Sequence, residues 1–342
     1  MNFSNTIKLL DSGVSKDIFP GYAFAVGNKD TIFIKRSGGY RSLYPQKEKM
    51  TNNTLFDVAS LTKVMVTTMI ACKAIESGKI SLNDSLSRFY DSCYDKADIT
   101  ILDLLTHQSG ISSDIALSKK GIAPEMAIDE ILKSKSVCLP KSQTVYSCLN
   151  FILLGDIFEK IYNISFGELA WRLVFNPLNM QNSCFNPISS DVVSTEYCAD
   201  LNGYACGVTQ DSNARFLGGI AGSAGAFCTL DDAINFMMML ANDGDKYISK
   251  RTFSLCTKNF TSGLLENRSL GFLLTGDKPT FAGDLLSDGS FGHTGYTGTS
   301  ILIDKESKIW TILFTNRIHF GKENDAIVRF RRVFHNSIYG QM

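Results

Sequence analysis

Residues 56–78, FDVASLTKVMVTTMIACKAIESG, carry the strongest signal in this sequence. A helix formed here has apolar side chains on nearly every face, which predicts that it is buried. Lys63 nevertheless lies inside it, and a lysine is almost never fully buried without a partner. Ser60 falls at the first turn, and residues three apart on a helix have Cβ atoms about 5 to 6 Å apart. The segment therefore predicts that the Ser60 and Lys63 side chains are in contact.

Contact between a serine and a buried lysine has a chemical use. Burial disfavours the ammonium form, so we expect the pKa of Lys63 to be lowered and Lys63 to accept the hydroxyl proton of Ser60. Free N–H groups at the helix N-terminus would stabilise negative charge that develops beside Ser60. Ser-x-x-Lys is a short pattern, expected about once by chance in such a composition. The alternative is an N-cap serine followed by a lysine that extends to the surface.

A β-hairpin is predicted near each end of the chain. Residues 21–36, GYAFAVGNKDTIFIKR, turn at 27–30, and residues 298–316, GTSILIDKESKIWTILFTN, turn at 304–307. We therefore expect one antiparallel sheet built from both chain ends and flanked by helices, an α/β (α+β) fold with an inserted helical region. Apolar periodicity predicts helices at 59–77, 100–108, 124–134, 149–162, 166–174, 230–241 and 322–339.

This arrangement predicts two domains. Residues 1–75 and 220–342 are expected to form a split sheet domain, and residues 76–219 a mainly helical insertion. Ligand sites often lie between such units. We therefore expect the active site in the cleft between the sheet and the insertion.

Two further segments carry candidate site residues. Tyr146 starts the apolar helix of TVYSCLNFILLG at 144–155, where a phenol can pass a proton between a nucleophile and a leaving group. In GSFGHTGYTG at 289–298, Gly recurs at every third position before a β run, which indicates close backbone approach, by a substrate in our interpretation. His293 and Thr294 offer donors for a substrate carboxylate or carbonyl, and we expect carboxylate affinity to fall as pH rises through the His293 titration range. The alternatives are an ordinary half-buried tyrosine and a structural histidine in a loop.

Composition and spacing argue against several classes of function. The 34 Lys and Arg balance the 34 Asp and Glu, which disfavours nucleic acid and anionic membranes as partners. No uncharged apolar run reaches about 18 residues and the first residues lack the order of an export signal, so a cytoplasmic protein without a membrane span is expected. The nine cysteines are scattered without a Cys-x-x-Cys pair, which favours reduced thiols. The histidines lack ligand-spaced partners, so neither a metal site nor a cofactor is expected.

Ser60-x-x-Lys63, then Tyr146, then His293-Thr294-Gly295 resemble the S-x-x-K, Y-x-N and K-T-G or H-T-G motifs of the serine β-lactamase and penicillin-binding-protein superfamily. The chain is most similar to the branch with class C β-lactamases, D-alanyl-D-alanine carboxypeptidases and related esterases. By this resemblance Ser60 is the acylated nucleophile, Lys63 its general base or pKa partner, and Tyr146 the proton shuttle. The resemblance also implies a strand at Gly295–Tyr296 along the substrate and an oxyanion hole formed by the N–H groups of Ser60 and Tyr296.

The sequence departs from the motifs at two positions. Cys148 stands where Y-x-N has its asparagine, and a thiol is a weak hydrogen-bond partner. Asn150 lies four residues past Tyr146, on the same helix face, and is the candidate replacement. His293 replaces the lysine of K-T-G, which removes a permanent charge that would attract a carboxylate. Arg317, just past the last β run, is a further candidate for binding a carboxylate, with a surface ion pair as the alternative.

The predicted function is hydrolysis of a small-molecule ester or amide, including a β-lactam or a D-amino-acid peptide, through a Ser60 acyl-enzyme. We expect esterase or peptidase activity rather than antibiotic defence, because the predicted location is cytoplasmic. The alternative from a different class is a penicillin-binding or ligand-sensing protein with little or no turnover, which Cys148 favours. A lipase-like elbow is disfavoured, because AGSAG at 221–225 has Ala where Gly-x-Ser-x-Gly begins. The sequence leaves the oligomeric state open.

Overall fold

A computed structural model of the chain describes residues 2–278 and 280–342. Its main feature is a seven-stranded antiparallel sheet in which β1 from the N-terminal end pairs with β12 from the C-terminal end. The strand order is β3-β2-β1-β12-β11-β10-β9. The strands are β1 Gly21–Gly27, β2 Ile32–Ser42, β3 Glu48–Lys49, β4 Phe56–Asp57, β5 Cys184–Phe185, β6 Ser194–Cys198, β7 Gly203–Cys206, β8 Ala226–Cys228, β9 Leu273–Leu274, β10 Phe291–Thr294, β11 Ser300–Ile303 and β12 Trp310–Thr315.

Helices cover both faces of this sheet. The α-helices are α1 Ser4–Ser15, α2 Thr68–Glu76, α3 Ile101–Leu105, α4 Ala127–Lys133, α5 Cys148–Tyr162, α6 Phe166–Ala170, α7 Ser212–Phe216, α8 Leu230–Ala241, α9 Lys250–Cys256 and α10 Ala326–Tyr339. α8 packs against β1, β11 and β12 on one face, while α1 and α10 pack together with the core of the other face. This arrangement confirms the predicted α/β (α+β) fold with a sheet built from both chain ends.

Strand β1 shows why both faces are covered. All seven of its residues are buried, so it lacks the alternation of a strand with one solvated face. Ala23 and Ala25 point into the larger core, which contains α8, whereas Phe24 points into the smaller core, which contains α1 and α10. β1 therefore presents small side chains to the larger core and bulkier ones to the smaller core.

One of two smaller sheets joins the predicted domains. In it β5, from the predicted insertion, pairs with β8, which also pairs with β4. The other sheet consists of β6 and β7 and lies within the predicted insertion. An isolated parallel bridge links Leu55 to Val192 across the same boundary. The larger core also draws residues from both sides of that boundary. The division at about 75 and 220 thus stays a prediction, because packing continues through it.

Several helices match the sequence expectation and others were not expected. Thr229 caps α8 by accepting the N–H of Asp232, and Ser165 caps α6 by accepting that of Glu168. α1 and α9 lie in segments where no helix was predicted. The helix predicted at 59–77 is interrupted, because Lys63–Thr67 form a π-helical turn ahead of α2. Among residues 2–278 and 280–342, no helix is both long and apolar enough to cross a membrane.

Candidate active site

Ser60 lies at the junction between β4 and the helix that follows. Ala59 has φ +47°, a left-handed conformation that is rare for a residue with a side chain. Its N–H donates to the Asp57 carboxylate at 2.8 Å, which holds this conformation in place. The Lys63 N–H then donates to the Ser60 carbonyl at 3.1 Å and starts the helix. A strained turn of this kind is a recurring feature of functional sites, and it leaves Ser60 half-buried at the helix N-terminus.

Lys63 is completely buried and touches Ser60 as its spacing predicted. Its Nζ donates to Ser60 Oγ at 2.9 Å and to the carbonyl of Ser223 at 2.8 Å. A third contact runs from Nζ to Cys148 Sγ at 3.5 Å. An ammonium group carries three hydrogens and no lone pair, so these three acceptors satisfy the charged form.

The charge of Lys63 differs from the sequence expectation. Burial alone lowers the pKa of Lys63, but Cys148, Tyr146 and Asp211 more than offset burial, and the net effect raises it. The prediction that burial lowers the pKa of Lys63 is therefore wrong, whereas its role as the proton acceptor for Ser60 stays a prediction. The physical reason is that side chains from distant parts of the chain surround the amine and favour its charged form, which spacing along the sequence did not reveal.

Tyr146 lies just before α5, between two cations. Lys63 Nζ is 5.2 Å from the centre of its ring, and the Arg268 guanidinium carbon is 5.3 Å from it. The rings of His107 and His293 lie 4.6 and 5.8 Å away, centre to centre. Tyr146 is also one of the groups that raise the pKa of Lys63. The phenol is therefore adjacent to the amine that touches Ser60.

The histidines beside Tyr146 are neutral. Burial, followed by Arg268 and Lys63, lowers the pKa of both His107 and His293 well below the usual value. Nδ1 of His293 lies 2.8 Å from the Thr294 carbonyl, which can only accept, so Nδ1 carries the hydrogen. The prediction that His293 gains and loses a charge within its ordinary titration range is wrong, because the positive neighbours and burial suppress its protonated form.

The motif His293-Thr294-Gly295 closes one side of the site. His293 and Thr294 end strand β10, and Gly295 opens the turn to β11. A Cβ at Gly295 would meet the carbonyl oxygen of Val58 at 2.4 Å. At Gly295 the backbone that leads to Ser60 makes a close approach, and the approach of a substrate to this glycine-rich segment stays a prediction.

Two threonines hold this turn against the nucleophile segment. Thr297 Oγ1 donates to the Asp57 carbonyl at 2.7 Å, and Thr299 Oγ1 to the Val58 carbonyl at 3.1 Å. Within the described part of the chain, the main-chain N–H groups of Ser60 and Tyr296 make no hydrogen bond. Both amides are therefore available to a ligand, as the proposed oxyanion hole requires.

A cavity of about 340 Å³ opens at Ser60. It brings together seven of the residues that the sequence singled out, namely Ser60, Tyr146, His293, Thr294, Gly295, Tyr296 and Arg317. Lys63 lies directly behind Ser60, beyond the cavity wall. The nucleophile candidate, the phenol and the glycine-rich turn thus share one space.

Neither Cys148 nor Asn150 is among the residues that line this cavity. Burial raises the pKa of the Cys148 thiol despite the neighbouring Lys63, so it is neutral and a weak acceptor for that amine. Asn150 is fully buried and its Oδ1 accepts from Ser109 Oγ at 2.8 Å. The structure therefore places Asn150 away from the substrate space, contrary to its expected role as the replacement asparagine.

Arg317 lines the cavity, but its guanidinium group donates hydrogen bonds to backbone carbonyls. Its Nε donates to the Tyr296 carbonyl at 3.0 Å, and NH1 donates to the carbonyls of Lys322 and Asn324. Its nearest carboxylate, Asp325, is 4.0 Å away and exposed. We therefore describe Arg317 as a residue that positions Tyr296.

The cavity lining also includes three charged residues that no sequence motif indicated: Glu266, Arg268 and Arg331. Each lies outside the motifs, in a segment whose local sequence resembles an ordinary polar surface. Arg268 and Arg331 are nevertheless buried. Only long-range folding brings them to Ser60, so no spacing rule would have found them. Within the described residues there is no cluster of His, Cys, Asp or Glu able to hold a metal ion.

Comparisons with known proteins agree with this geometry. The Beta-lactamase family profile matches residues 7–334. A Salmonella gallinarum protein named "Putative D-alanyl-D-alanine carboxypeptidase" is 26% identical over 370 residues, covering 95% of this chain and 85% of its own. The structure of EstCE1, a hydrolase with promiscuous acyltransferase activity, superimposes with a TM-score of 0.80 at 18% identity, over 98% of this chain and 97% of its own.

A second solved structure gives the same result. The octameric penicillin-binding protein homologue from Pyrococcus abyssi has a TM-score of 0.76 at 21% identity, covering 92% of this chain and 74% of its own. These similarities confirm the predicted fold and the predicted assignment to serine hydrolases of this kind. The match over almost the full length, together with the Ser60 site, shows that this chain belongs to the Beta-lactamase family.

Proposed function

We propose that the protein cleaves a small-molecule ester or amide through an acyl-enzyme on Ser60. The observation that carries this proposal is the 2.9 Å contact between Lys63 Nζ and Ser60 Oγ at the floor of a cavity that Tyr146 and Thr294 also line. A serine that only caps a helix does not require contact with a fully buried amine. The surface-lysine alternative does not fit a side chain with no exposed area.

The acylation step starts with Ser60 Oγ attacking the substrate carbonyl carbon. A bond forms between Oγ and that carbon, and the carbonyl oxygen takes up the negative charge between the N–H groups of Ser60 and Tyr296. The Ser60 proton passes to the Tyr146 oxygen while Tyr146 delivers its own hydrogen to the leaving oxygen or nitrogen. The bond to the leaving group breaks, and Tyr146 ends the step as a neutral phenol.

Lys63 acts in this scheme as a fixed positive charge. Its ammonium holds the Ser60 hydroxyl oxygen in place and stabilises negative charge that develops on Oγ and on the Tyr146 oxygen. Deacylation is the same exchange with water in place of the leaving group. Water loses a proton to Tyr146, Tyr146 returns a hydrogen to Ser60 Oγ, and the acid product leaves.

Intact-mass measurement tests the nucleophile. We expect a fluorophosphonate to add one adduct to the full-length protein, and Ser60→Ala to abolish both the adduct and hydrolysis of 4-nitrophenyl pentanoate. Ser92→Ala, which removes an exposed serine, is the control and should keep both. An adduct of unchanged yield on Ser60→Ala would show that another residue is the nucleophile.

A second function deserves a test because of Cys148. Its thiol occupies a contact of Lys63 that a stronger acceptor would fill better, which favours a penicillin-binding or ligand-sensing protein that acylates and then stalls. In that case a penicillin adduct would persist for hours without product release. Cys148→Asn would then increase product release about tenfold, the effect of about one added hydrogen bond. Rapid turnover by the unmodified protein would exclude this second function.

A further inference from the structure

A second cavity, of about 340 Å³, lies between α5, α6 and residues 217–222. In the described part of the chain, none of its lining residues lines the cavity at Ser60. Those on α5 are spaced three or four apart, so they share one helix face, and they are Ile152, Gly155, Asp156 and Glu159. The reaction proposed for Ser60 uses none of this space.

The interior of this second cavity is apolar. Its large apolar lining side chains are Ile128, Ile152, Phe166, Leu217 and Ile220. Ile152 and Phe166 belong to the larger core, and the other three pack against it. A volume of this size is within the range of cavities that hold small molecules. Each methylene group of a ligand that is buried here adds about fourfold in affinity, so the cavity favours a ligand with an apolar body.

The charged groups of the second cavity are all acidic. Glu125, Asp156 and Glu159 line it, and no lysine, arginine or histidine does so among the described residues. Asp156 is compensated, because Lys160 Nζ lies 3.0 Å from its carboxylate and Tyr90 donates its hydroxyl to it. Glu125 and Glu159 make no ion pair within residues 2–278 and 280–342. The cavity therefore combines an apolar interior with uncompensated negative charge.

One carboxylate oxygen of Glu159 is free. Oε1 accepts the Phe166 N–H at 2.6 Å, whereas Oε2 has no hydrogen-bond partner within the described residues. Oε2 is not one of the buried polar atoms that lack a partner, so it keeps surface open to solvent. Burial raises the pKa of Glu159, the Phe166 N–H opposes this effect, and the neighbouring Asp156 raises the pKa further. A cation beside the carboxylate would stabilise its ionised form.

The wall of the second cavity is fixed where α5 meets residues 220–222. A Cβ at Gly222 would meet the Phe151 carbonyl oxygen at 2.1 Å, and a Cβ at Gly155 would meet the Gly222 nitrogen at 3.1 Å. The Gly222 carbonyl also accepts the Thr67 hydroxyl at 2.6 Å. These close contacts hold the backbone in place. The cavity is therefore formed before a ligand arrives, which reduces the cost of binding.

We propose that the second cavity binds a small aliphatic ammonium ion, with its chain among the apolar side chains and its ammonium group at the Glu159 carboxylate. A hydrogen bond between two charged groups is about twice as strong as a neutral one. Arg268, Arg317 and Arg331 line the cavity at Ser60, so like charge disfavours the same ion there. The inference goes beyond the proposed function, because it assigns a separate binding site.

Isothermal titration calorimetry with the full-length protein at neutral pH tests the ligand class. The probes are hexylammonium chloride, butylammonium chloride and hexan-1-ol, the alcohol being measured as a competitor of hexylammonium. We expect saturable binding of hexylammonium, at least about fivefold tighter than that of butylammonium, which lacks two methylene groups. It should also bind at least about fivefold more tightly than the uncharged alcohol. A smaller difference in either comparison, or no saturable binding, would overturn the proposal.

A variant that fills the cavity locates the site without a change of charge. Gly167 lines the cavity, and a Cβ there would meet only the Ile220 side chain, at an ordinary contact distance of 3.5 Å. Gly167→Leu should therefore fold and should weaken hexylammonium binding at least about fivefold. Unchanged affinity in this variant would place the ion elsewhere and would contradict the proposal.

Glu159→Gln tests the charge. Its amide oxygen can still accept the Phe166 N–H, so the variant removes the charge and keeps that contact. We expect hexylammonium affinity to fall at least about fivefold. Glu306→Gln is the matched control, because Glu306 is exposed in the turn between β11 and β12, and it should keep the affinity within twofold. Equal losses in the two variants would mean that net charge alone is responsible. If Glu159→Gln does not fold, as judged by circular dichroism, Gly167→Leu decides.

The binding site and the proposed reaction fail separately. Ser60→Ala should bind hexylammonium as the unmodified protein does. A loss in Ser60→Ala equal to that in Gly167→Leu would place the ion at Ser60 and overturn the second site. Failure of the fluorophosphonate adduct test would remove the nucleophile and leave the binding results unchanged.

Discussion

At the residue scale, Lys63 is the side chain whose role the structure changed most. Its spacing from Ser60 predicted a contact, and its Nζ does donate to Ser60 Oγ. From the sequence alone, burial of Lys63 predicted a neutral amine that acts as a base. In the structure, three acceptors surround Nζ and favour the charged ammonium form. In the proposed reaction, this one buried charge both orients the hydroxyl and stabilises developing negative charge.

Replacing Lys63 by an uncharged residue of similar length tests this role. We expect Lys63→Met to lower kcat/KM for 4-nitrophenyl pentanoate by about 100-fold to 1,000-fold, the usual loss when one group that stabilises developing charge is removed. The melting temperature should stay equal or rise, because an apolar side chain avoids the cost of a buried charge.

Lys96 is the matched control for that experiment. It is also fully buried, but its Nζ contacts Asp95 and the Ser134 carbonyl, far along the chain from Ser60. We expect Lys96→Met to change stability and to leave kcat/KM within about threefold. Equal activity losses in both variants would show that Lys63 acts through folding alone.

His293 gives a prediction about pH. Because burial and the adjacent Arg268 hold its pKa well below the usual value, it stays neutral from pH 6 to pH 8. An ordinary histidine would lose its charge as pH rose through this range and would weaken carboxylate binding. We therefore expect the ratio of kcat/KM for mono-4-nitrophenyl glutarate to that for 4-nitrophenyl pentanoate to be flat over these pH values.

Groups that titrate in both reactions change the kcat/KM of both esters equally, so their effect cancels in this ratio. A ratio that falls severalfold between pH 6 and pH 8 would contradict the neutral state of His293. His293→Gln, which is uncharged at every pH, supplies the flat reference profile.

At the scale of elements, the turn from β10 to β11 positions the site. Thr297 and Thr299 fasten it to the backbone ahead of Ser60, and Gly295 allows the two segments to meet. Arg331 on α10 holds the same turn from behind. The distance between the Ser60 and Tyr296 amides therefore depends on packing between β4, β10 and α10.

Gly298 tests this dependence. It has φ +116°, and a Cβ there would meet Thr315 Oγ1 at 2.1 Å. We expect Gly298→Ala to destabilise the protein by about 2 kcal/mol or more and to lower kcat, because both backbone strain and a clash would shift Tyr296. Chemical denaturation and ester hydrolysis measure the two effects.

Gly321 provides the comparison for strain alone. Its φ is +104°, but a Cβ there would meet nothing within 4 Å. Gly321→Ala should therefore cost only about 1 to 2 kcal/mol, the backbone contribution. If the two variants lose equal stability, close packing at Gly298 is not what holds the turn.

At the scale of the whole molecule, one core continues across the predicted domain boundary. It includes β1 and β12 residues such as Ala23 and Phe314 as well as Leu104 and Phe158 from the helical region. A shared core couples the stability of the two parts. We therefore expect the sheet and the insertion to unfold in a single cooperative transition.

The fluorescence of the two tryptophans of the chain measures whether the two parts unfold together. Trp310 lies in β12 and Trp171 in the helical region. In urea, the fluorescence midpoints of Trp171→Phe and Trp310→Phe should each coincide with the midpoint that circular dichroism gives for the same variant. Two separated midpoints would instead support independent domains with the boundaries near 75 and 220.

The sequence alone determined those features that depend on neighbours along the chain. Hairpins, caps and the spacing of Ser60 and Lys63 follow from local geometry, and the predicted fold followed from where the hairpins lie. α1, α7 and α9 lie outside the predicted helices, although Ser249 caps α9 by accepting the N–H of Thr252. Asn150 was misplaced because helix spacing gives a face but not what that face contacts.

Only the tertiary structure decided the electrostatics of the site. The charge on Lys63, the neutrality of His293 and the buried Arg268 and Arg331 depend on which distant side chains meet in a space shielded from water. Charges interact through space, and the strength of that interaction depends on burial. For this protein the motifs therefore predict a reaction, and the fold determines which charges surround it.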